Sequence, residues 1–268
     1  MRRCAVIGYP AQHSLSPALH RAAYRELGLD WDYQAIDVVP GGVAGFIASL
    51  DESWRGLSVT MPHKAAICAF GTPDDVVRLV GVGNTLLLDE PRSVHNTDVS
   101  GLVRALGWHG VDQVGRATMV GAGATARSAL VALHQLGLTD LNVLVRDPQR
   151  ATDLKALASH LRVRVRVDVL GTVDARGEII ICTLPGEAAD PFLDTLLAPA
   201  ATVLDVSYAP WPSALASAAM QSAITVISGL DLLVGQAVDQ VRLMTGSDVD
   251  PAVLLSAGQE VLSRRRAD

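Results

Sequence analysis

Lys64 ends the stretch Gly56-Leu57-Ser58-Val59-Thr60-Met61-Pro62-His63-Lys64, where a strand runs into a helix start. A helix dipole disfavours a cation in its first turn, which helps a lysine give up a proton near neutrality. Acid–base work is one reading of this residue; a solvated surface lysine is the other. His63 beside it reads as a helix-start residue or as a modulator of the lysine. Asn84, in Val82-Gly83-Asn84-Thr85, and Asp98, in His95-Asn96-Thr97-Asp98, sit at strand ends. Ligands bind at that side of a parallel sheet, although each residue alone also suits a turn. Ser14 and Ser16 are two apart in the loop that precedes Pro17. An extended loop would aim both hydroxyls at one pocket. Alternatively, Ser16 caps the helix that Pro17 opens.

A second kind of chemistry is written in Gly121-Ala122-Gly123-Ala124-Thr125-Ala126. The spacing is G-x-G-x-x-G/A, between a strand at 117–120 and a helix that runs to about Leu136. Glycines admit a pyrophosphate close to the backbone, and the helix N-terminus offers unpaired N–H groups. The next strand ends in Val145-Arg146-Asp147-Pro148-Gln149-Arg150. Arg146 and Arg150 suit a ribose 2′-phosphate, since guanidinium groups match phosphate geometry. Asp147 either repels that phosphate or caps the helix ahead of Pro148; the cap is favoured, and with it NADP over NAD.

The elements that must hold these groups alternate from end to end. Strands are predicted at Arg3–Gly8, Asp32–Val38, Arg55–Thr60, Thr85–Leu88, Ala117–Val120, Leu141–Val145, Glu178–Thr183, Thr202–Val206 and Thr225–Ile227. Helices are predicted at Pro17–Leu27 and from Gly101. The pattern is α/β, with parallel sheets covered by helices. The alternating basic and apolar residues of 161–169 read as an edge strand with a buried valine face. The 268 residues are 49% apolar and 19% charged, enough to bury a core and form two domains. Net charge is 22 − 28 = −6, and aromatics are 4%. Nucleic acid and membrane partners are therefore not expected. Cys4, Cys68 and Cys182 show neither disulfide nor metal-ligand spacing, and no metal is expected. The expected location is cytoplasmic.

Taken in order, the motifs resemble the shikimate/quinate dehydrogenase family over nearly the whole length. They are Ser14-Leu15-Ser16-Pro17, Val59-Thr60-Met61-Pro62-His63-Lys64, Asn84-Thr85, Asn96-Thr97-Asp98, the Gly121 loop, Cys182-Thr183-Leu184-Pro185, Asp205-Val206-Ser207-Tyr208-Ala209-Pro210 and Gly229-Leu230-Asp231-Leu232-Leu233-Val234-Gly235-Gln236-Ala237. The resemblance implies two α/β domains with a cleft between them, the second a Rossmann-type dinucleotide-binding domain. Residues 1–100 would bind substrate, 101–233 would bind NADP, and 234–268 would return to the substrate domain. The implied reaction is reversible NADP-linked reduction of 3-dehydroshikimate to shikimate, in a monomer or homodimer.

The resemblance also implies roles. Lys64 is the acid/base and Asp98 orients it. Ser14, Ser16 and Tyr208 bind the substrate carboxylate, and Thr60, Asn84, Asp98 and Gln236 hold ring hydroxyls. Gly121, Ala122, Gly123, Ala124 and Thr125 cradle the pyrophosphate, Arg146 and Arg150 clamp the 2′-phosphate, and Val206 and Gly229 lie near the nicotinamide. The chain departs from the family pattern in four places, one of them His63 beside Lys64. Ala124 replaces a glycine, Val145-Arg146-Asp147 replaces Asn-Arg-Thr, and Val99 follows Asp98 in place of glycine. An NAD-dependent quinate/shikimate dehydrogenase is the nearest alternative, and a non-catalytic ligand-binding paralogue a more distant one.

Overall fold

The computed structural model describes residues 1–197 and 200–267. The chain forms two compact units. One holds Met1–Gly101 and Leu233–Asp268, the other Leu102–Leu232. No helix among the described residues is long and apolar enough to cross a membrane.

The first unit contains β1 (Arg2–Gly8), α1 (Ser16–Glu26), β2 (Trp31–Asp37), α2 (Val43–Ala48), β3 (Trp54–Val59), β4 (Thr72–Pro73), α3 (Asp75–Val80), β5 (Thr85–Leu87) and β6 (Ser93–His95). The sheet order is β2-β1-β3-β5-β6-β4. From Cys4 onward β1 is buried on both faces, as a central strand written in apolar residues should be. Ala5, Ile7, Leu57 and Leu86 pack against Ile47 of α2 and Val77 of α3 on one face. The turn of α1 onto β2 uses Gly28 at φ +66°, a left-handed position that favours glycine. Asp74 caps α3 by accepting the Val77 N–H at 2.7 Å.

The alternation of elements predicted parallel sheets, and here the first sheet differs. β2, β1 and β3 are parallel, but β5 runs antiparallel to β3 and β6 antiparallel to β5. Residues 88–92 are too few for a parallel crossover, so β5 and β6 must form a hairpin. As a result, the amino end of β5 lies with the carboxyl ends of β1, β3 and β6.

The second unit begins within α4 (Asp98–Trp108). It continues through β7 (Arg116–Val120), α5 (Ala124–Gln135), β8 (Asp140–Val145), α6 (Thr152–His160), β9 (Arg164–Val169), β10 (Ile179–Cys182), α7 (Leu193–Leu197), β11 (Thr202–Asp205), α8 (Ala214–Gln221) and β12 (Thr225–Ser228). Its sheet is wholly parallel, in the order β12-β11-β10-β7-β8-β9. β9 is an edge strand, with Arg164 and Arg166 exposed and Val165 and Val167 half-buried. Two more helices, α9 (Gly229–Thr245) and α10 (Pro251–Ala267), complete the chain.

Within the first unit, α4 and α9 meet at two glycines. A Cβ on Gly101 would stand 2.5 Å from the Gln236 nitrogen, and one on Gly235 would strike the Gly101 carbonyl oxygen. Only bare backbone allows this approach, and it brings Gln236 against the start of α4. One turn further along α9, Gln240 lies under the sheet. Its Oε1 accepts from Ser58 Oγ at 2.7 Å and faces His20 Nε2 at 3.3 Å.

His20 is fully buried and stacks on Tyr33 at 4.0 Å. Burial lowers its pKa from 6.5 to about 3, opposed by the Gln240 hydrogen bond. The sign for stability follows directly. Above pH 6.5 both folded and unfolded states hold a neutral imidazole. Below it only the unfolded state takes the proton, until about pH 3. His20 should therefore cost about 1.4 kcal/mol of stability per pH unit on acidification below 6.5. Urea unfolding at pH 7 and pH 5.5 should show this loss, and His20→Phe should flatten it. An equally steep loss in the variant would contradict the assignment.

Candidate active site

One edge of the first sheet collects the candidate side chains of this unit. β1 leads there into the loop of Ser14 and Ser16, and β3 into Thr60 and Lys64. Asn84 precedes β5 and Asp98 follows β6, so the hairpin delivers both to the same edge. Two loops are tied together by the Tyr9 N–H, which donates to the Met61 carbonyl at 3.0 Å. A Cβ on Gly8 would strike Thr60 Cγ2, so the two loops also touch through Thr60.

Asn84 lies at the centre, 2% exposed. Its Nδ2 donates to Asp98 Oδ1 and Thr97 Oγ1, both at 2.9 Å, and faces Gln236 Oε1 at 3.3 Å. Its Oδ1 accepts the Thr97 N–H at 2.8 Å and the Thr85 hydroxyl at 3.0 Å. Gln236 is fixed in turn by its Nε2, which donates to the Leu233 carbonyl at 2.9 Å. With both amide atoms of Asn84 engaged, the buried polar group is satisfied and its orientation is set.

Lys64 Nζ donates to Asp98 Oδ2 at 2.5 Å, with side-chain exposures of 14% and 9%. The two carboxylate oxygens of Asp98 are thus divided between Lys64 and Asn84. Asp98 is the first residue of α4, where the helix dipole favours a carboxylate. The Asn96 side-chain oxygen caps that helix by accepting the Asp98 N–H at 3.0 Å. A buried ion pair is seldom a net source of stability, because two desolvated charges cost several kcal/mol each. Lys64 carries three N–H donors, and among the described residues only Asp98 engages one. Two remain for a ligand.

Lys64 is not in the first turn of an α-helix as the sequence suggested. Residues 61–65 form turns, followed by one short 3-10 turn at Ala66–Ala69. The dipole argument therefore falls away, because four residues of 3-10 turn align too few peptide dipoles. The local field at Lys64 comes from Asp98 instead. His63 is neither a helix-start residue nor a partner of Lys64. Its Nε2 meets the Val38 carbonyl at 2.6 Å and ties this turn to the end of β2.

Ser16 does not cap α1 with its side chain; Leu15 holds the cap position, and Ser16 N–H donates to Ser14 Oγ at 3.2 Å. The reason is that α1 starts one residue earlier than the Pro17 rule suggests, which puts Ser16 inside the first turn. The Ser16 hydroxyl takes no partner among the described residues.

The second unit carries the remaining residues: Gly121 to Thr125, Arg146, Arg150, Val206, Tyr208 and Gly229. Gly121 has φ +102°, and a Cβ on it would stand 2.5 Å from Thr183 Oγ1. Its N–H donates to the Leu144 carbonyl at 2.9 Å. Gly123 precedes α5 in extended conformation, and a Cβ there would meet nothing within 4 Å. Among the described residues, no side-chain cap serves the first turn of α5, whose N–H groups have no intrahelical acceptor. Asp147 Oδ1 accepts the Gln149 N–H at 3.0 Å and caps the 3-10 turn Pro148–Ala151. Arg146 and Arg150 flank this cap, exposed and without an ion pair among the described residues. Gly229 packs so closely on Val206 that a Cβ would strike the Val206 carbonyl.

Thr97 and Gln240 escaped the sequence reading. Thr97 is bonded to Asn84 through backbone and side chain. Gln240 Nε2 donates to the Asn84 carbonyl and to Thr85 Oγ1 at 3.2 and 3.0 Å. The spacing of Gln236 and Gln240, one helical turn apart, was the available signal.

Comparison with known proteins agrees with this geometry. Residues 6–86 match the family model described as the shikimate dehydrogenase substrate binding domain. The chain is 37% identical to the shikimate dehydrogenase (NADP(+)) of Rubrobacter xylanophilus, over 94% of this chain and 93% of that one. The crystal structure of Mycobacterium tuberculosis shikimate dehydrogenase matches with a TM-score of 0.89 at 34% identity, covering 97% of this chain and all of that one. The Thermus thermophilus shikimate 5-dehydrogenase, solved in complex with NADP(H) and shikimate, matches with a TM-score of 0.86 at 29% identity, over 98% and 100% of the two chains. With identity and coverage of this extent, the chain belongs to the shikimate dehydrogenase family.

Proposed function

We propose that this protein reversibly reduces 3-dehydroshikimate to shikimate with NADPH, on the route to chorismate and the aromatic amino acids. The observation that carries the reading is the Lys64–Asp98 pair at 2.5 Å, with its carboxylate fixed by Asn84.

The loop fits a dinucleotide. Gly121 gives a tight turn that a side chain would fill, Gly123 leaves room for a pyrophosphate, and α5 presents free N–H groups to it. Arg146 and Arg150 would hold the 2′-phosphate, and Val206 and Gly229 would line the nicotinamide position. When bound, the nicotinamide supplies or accepts the hydride. The chain's task is the proton and the alignment. Lys64 donates its proton to the C3 oxygen as that oxygen gains charge, and takes it back in the reverse direction. Asp98 fixes the direction of Nζ. Asn84, Thr60 and Gln236 hold ring hydroxyls, and Ser14, Ser16 and Tyr208 bind the carboxylate. Holding the carbonyl within reach of one fixed proton donor converts a collision into an intramolecular transfer.

Asp147 motivated the NAD alternative. Its cap contact uses one carboxylate oxygen for the backbone, which supports the NADP reading. The non-catalytic paralogue is disfavoured because Lys64 and Asp98 are both present and in contact.

Two experiments test this. Lys64→Ala should lower kcat by about 10²–10⁴-fold, the usual worth of a positioned acid–base group, while the thermal midpoint holds. Normal turnover would remove Lys64 from the reaction. In a matrix of NADPH and NADH with 3-dehydroshikimate, the native chain should prefer NADPH. Arg146→Ala with Arg150→Ala should cut that preference by roughly 10–100-fold, the cost of losing charge-assisted bonds to phosphate. A native preference for NADH would overturn the assignment of both arginines.

A further inference from the structure

The amino end of the second sheet holds a cavity of about 480 Å³, between β7, β8, β9 and the segment before β10. It is formed within the second unit alone. The Gly121 loop leaves the carboxyl end of β7, so this cavity lies at the opposite end of the strands.

Its floor is unusual for a parallel sheet. Arg116, Asp140 and Arg164 stand in one register row, and Thr118, Asn142 and Arg166 in the next row on the same face. Further along that face Val120 and Leu144 join the apolar core. Asn142 sits where such a sheet normally carries valine or leucine. It is 6% exposed, and neither atom of its amide has a hydrogen-bond partner among the described residues. Leaving a buried polar group unpaired costs about 1–3 kcal/mol each, so Asn142 is not explained by packing.

The wall is built rather than accidental. The Thr118 hydroxyl donates to the Arg176 carbonyl at 2.6 Å and accepts the Arg176 N–H at 2.8 Å. Gly177, at φ +103°, brings that segment so close to β7 that a Cβ would stand 2.5 Å from the Arg116 carbonyl oxygen. The local charge is positive. Arg164 neutralises Asp140 through two bonds of 2.6 Å, and Arg166 pairs with Asp168 at 2.7 Å. Arg116 and Arg176 form no ion pair among the described residues, so two guanidinium groups remain available at the cavity. Ala117, Leu141 and Val165, between these rows, also border the cavity.

We propose that this cavity is a second ligand site, separate from the dinucleotide loop, for a small organic oxyanion: a carboxylate or phosphate monoester on an apolar body. Arg116 and Arg176 bind the anionic group, as guanidinium forks match either oxyanion. The Asn142 amide gives and accepts one bond from a polar substituent on the same ligand. The volume suits a molecule of one or two rings.

The test uses the full chain and two probes, 4-hydroxybenzoate and phenyl phosphate. The readout is the side-chain amide resonance of Asn142, identified by its absence in Asn142→Leu. Titration with at least one probe should shift that resonance with half-saturation near or below about 1 mM. The probe that does so tells carboxylate from phosphate. Arg116→Gln with Arg176→Gln should weaken binding by at least about tenfold while dehydrogenase turnover is unchanged. Asn142→Leu should keep or raise the thermal midpoint, because an unpaired buried amide is removed. No shift with either probe at about 10 mM, or undiminished affinity in the arginine variant, would overturn the proposal.

Discussion

A buried amide makes heavy demands on its surroundings, and Asn84 is the clearest case in this molecule. Its two amide atoms must find partners in a place that water does not reach. They find them on three separate pieces of chain: Thr97 and Asp98 after β6, Thr85 at the start of β5, and Gln236 on α9. Each partner is thereby fixed with respect to the others. Asp98 is held by Asn84 through one oxygen, which leaves the second to face Lys64. The orientation of Lys64 therefore descends from the satisfaction of an asparagine.

The fold is arranged so that this network can close. The β5–β6 hairpin reverses the strand direction and brings Asn84 to the edge where β1 and β3 end. α9 approaches only because Gly101 and Gly235 leave no side chains at the crossing. Gln240, one turn along from Gln236, extends the same network beneath the sheet to Ser58, Tyr33 and the neutral His20. These buried polar groups thus form one connected system, with an apolar core of Ile7, Leu57 and Leu86 on the other face. In a connected system of this kind, an error at one member is felt at the reactive end.

The strands of the second unit were legible in the sequence, whereas its helices α6, α7 and α8 were not named. β10 is a continuous apolar run, the loop has a recognisable glycine spacing, and the sheet is parallel throughout. The alternation of 161–169 gives the edge strand, but the strand begins only at Arg164 and its valine face is half-buried rather than buried, since an edge strand is covered less than a central one. The first unit was less legible, for physical reasons. α2, α3, β4 and β6 are too short to establish a period, and the antiparallel hairpin follows from chain length between strands rather than residue type. The motif residues Lys64, Asn84 and Asp98 could be named individually, but their mutual contacts depend on that hairpin. Lys64 shows the limit best. Its sequence context pointed to a helix dipole, and its actual neighbour is a carboxylate from a segment thirty-four positions away. Thr97 and Gln240 were missed because hydroxyl and amide side chains carry no pattern until their partners are known.

The charge balance looks different at the level of sites. The chain is acidic overall, at −6, yet the second unit carries exposed Arg146 and Arg150 directly after β8. In the first unit, Lys64 faces Asp98 within a site otherwise built from neutral amides and hydroxyls. That economy suits a substrate with several hydroxyls and one carboxylate.

The central claim is that Lys64 and Asp98 act as one unit. The most direct measurement is a double-mutant cycle on kcat with Lys64→Ala, Asp98→Asn and the pair combined. If the carboxylate serves by positioning the lysine, the double variant should be about as slow as Lys64→Ala alone, since residues acting as a unit are strongly non-additive. Losses that multiply, each variant contributing its full factor, would show two independent roles and contradict the account.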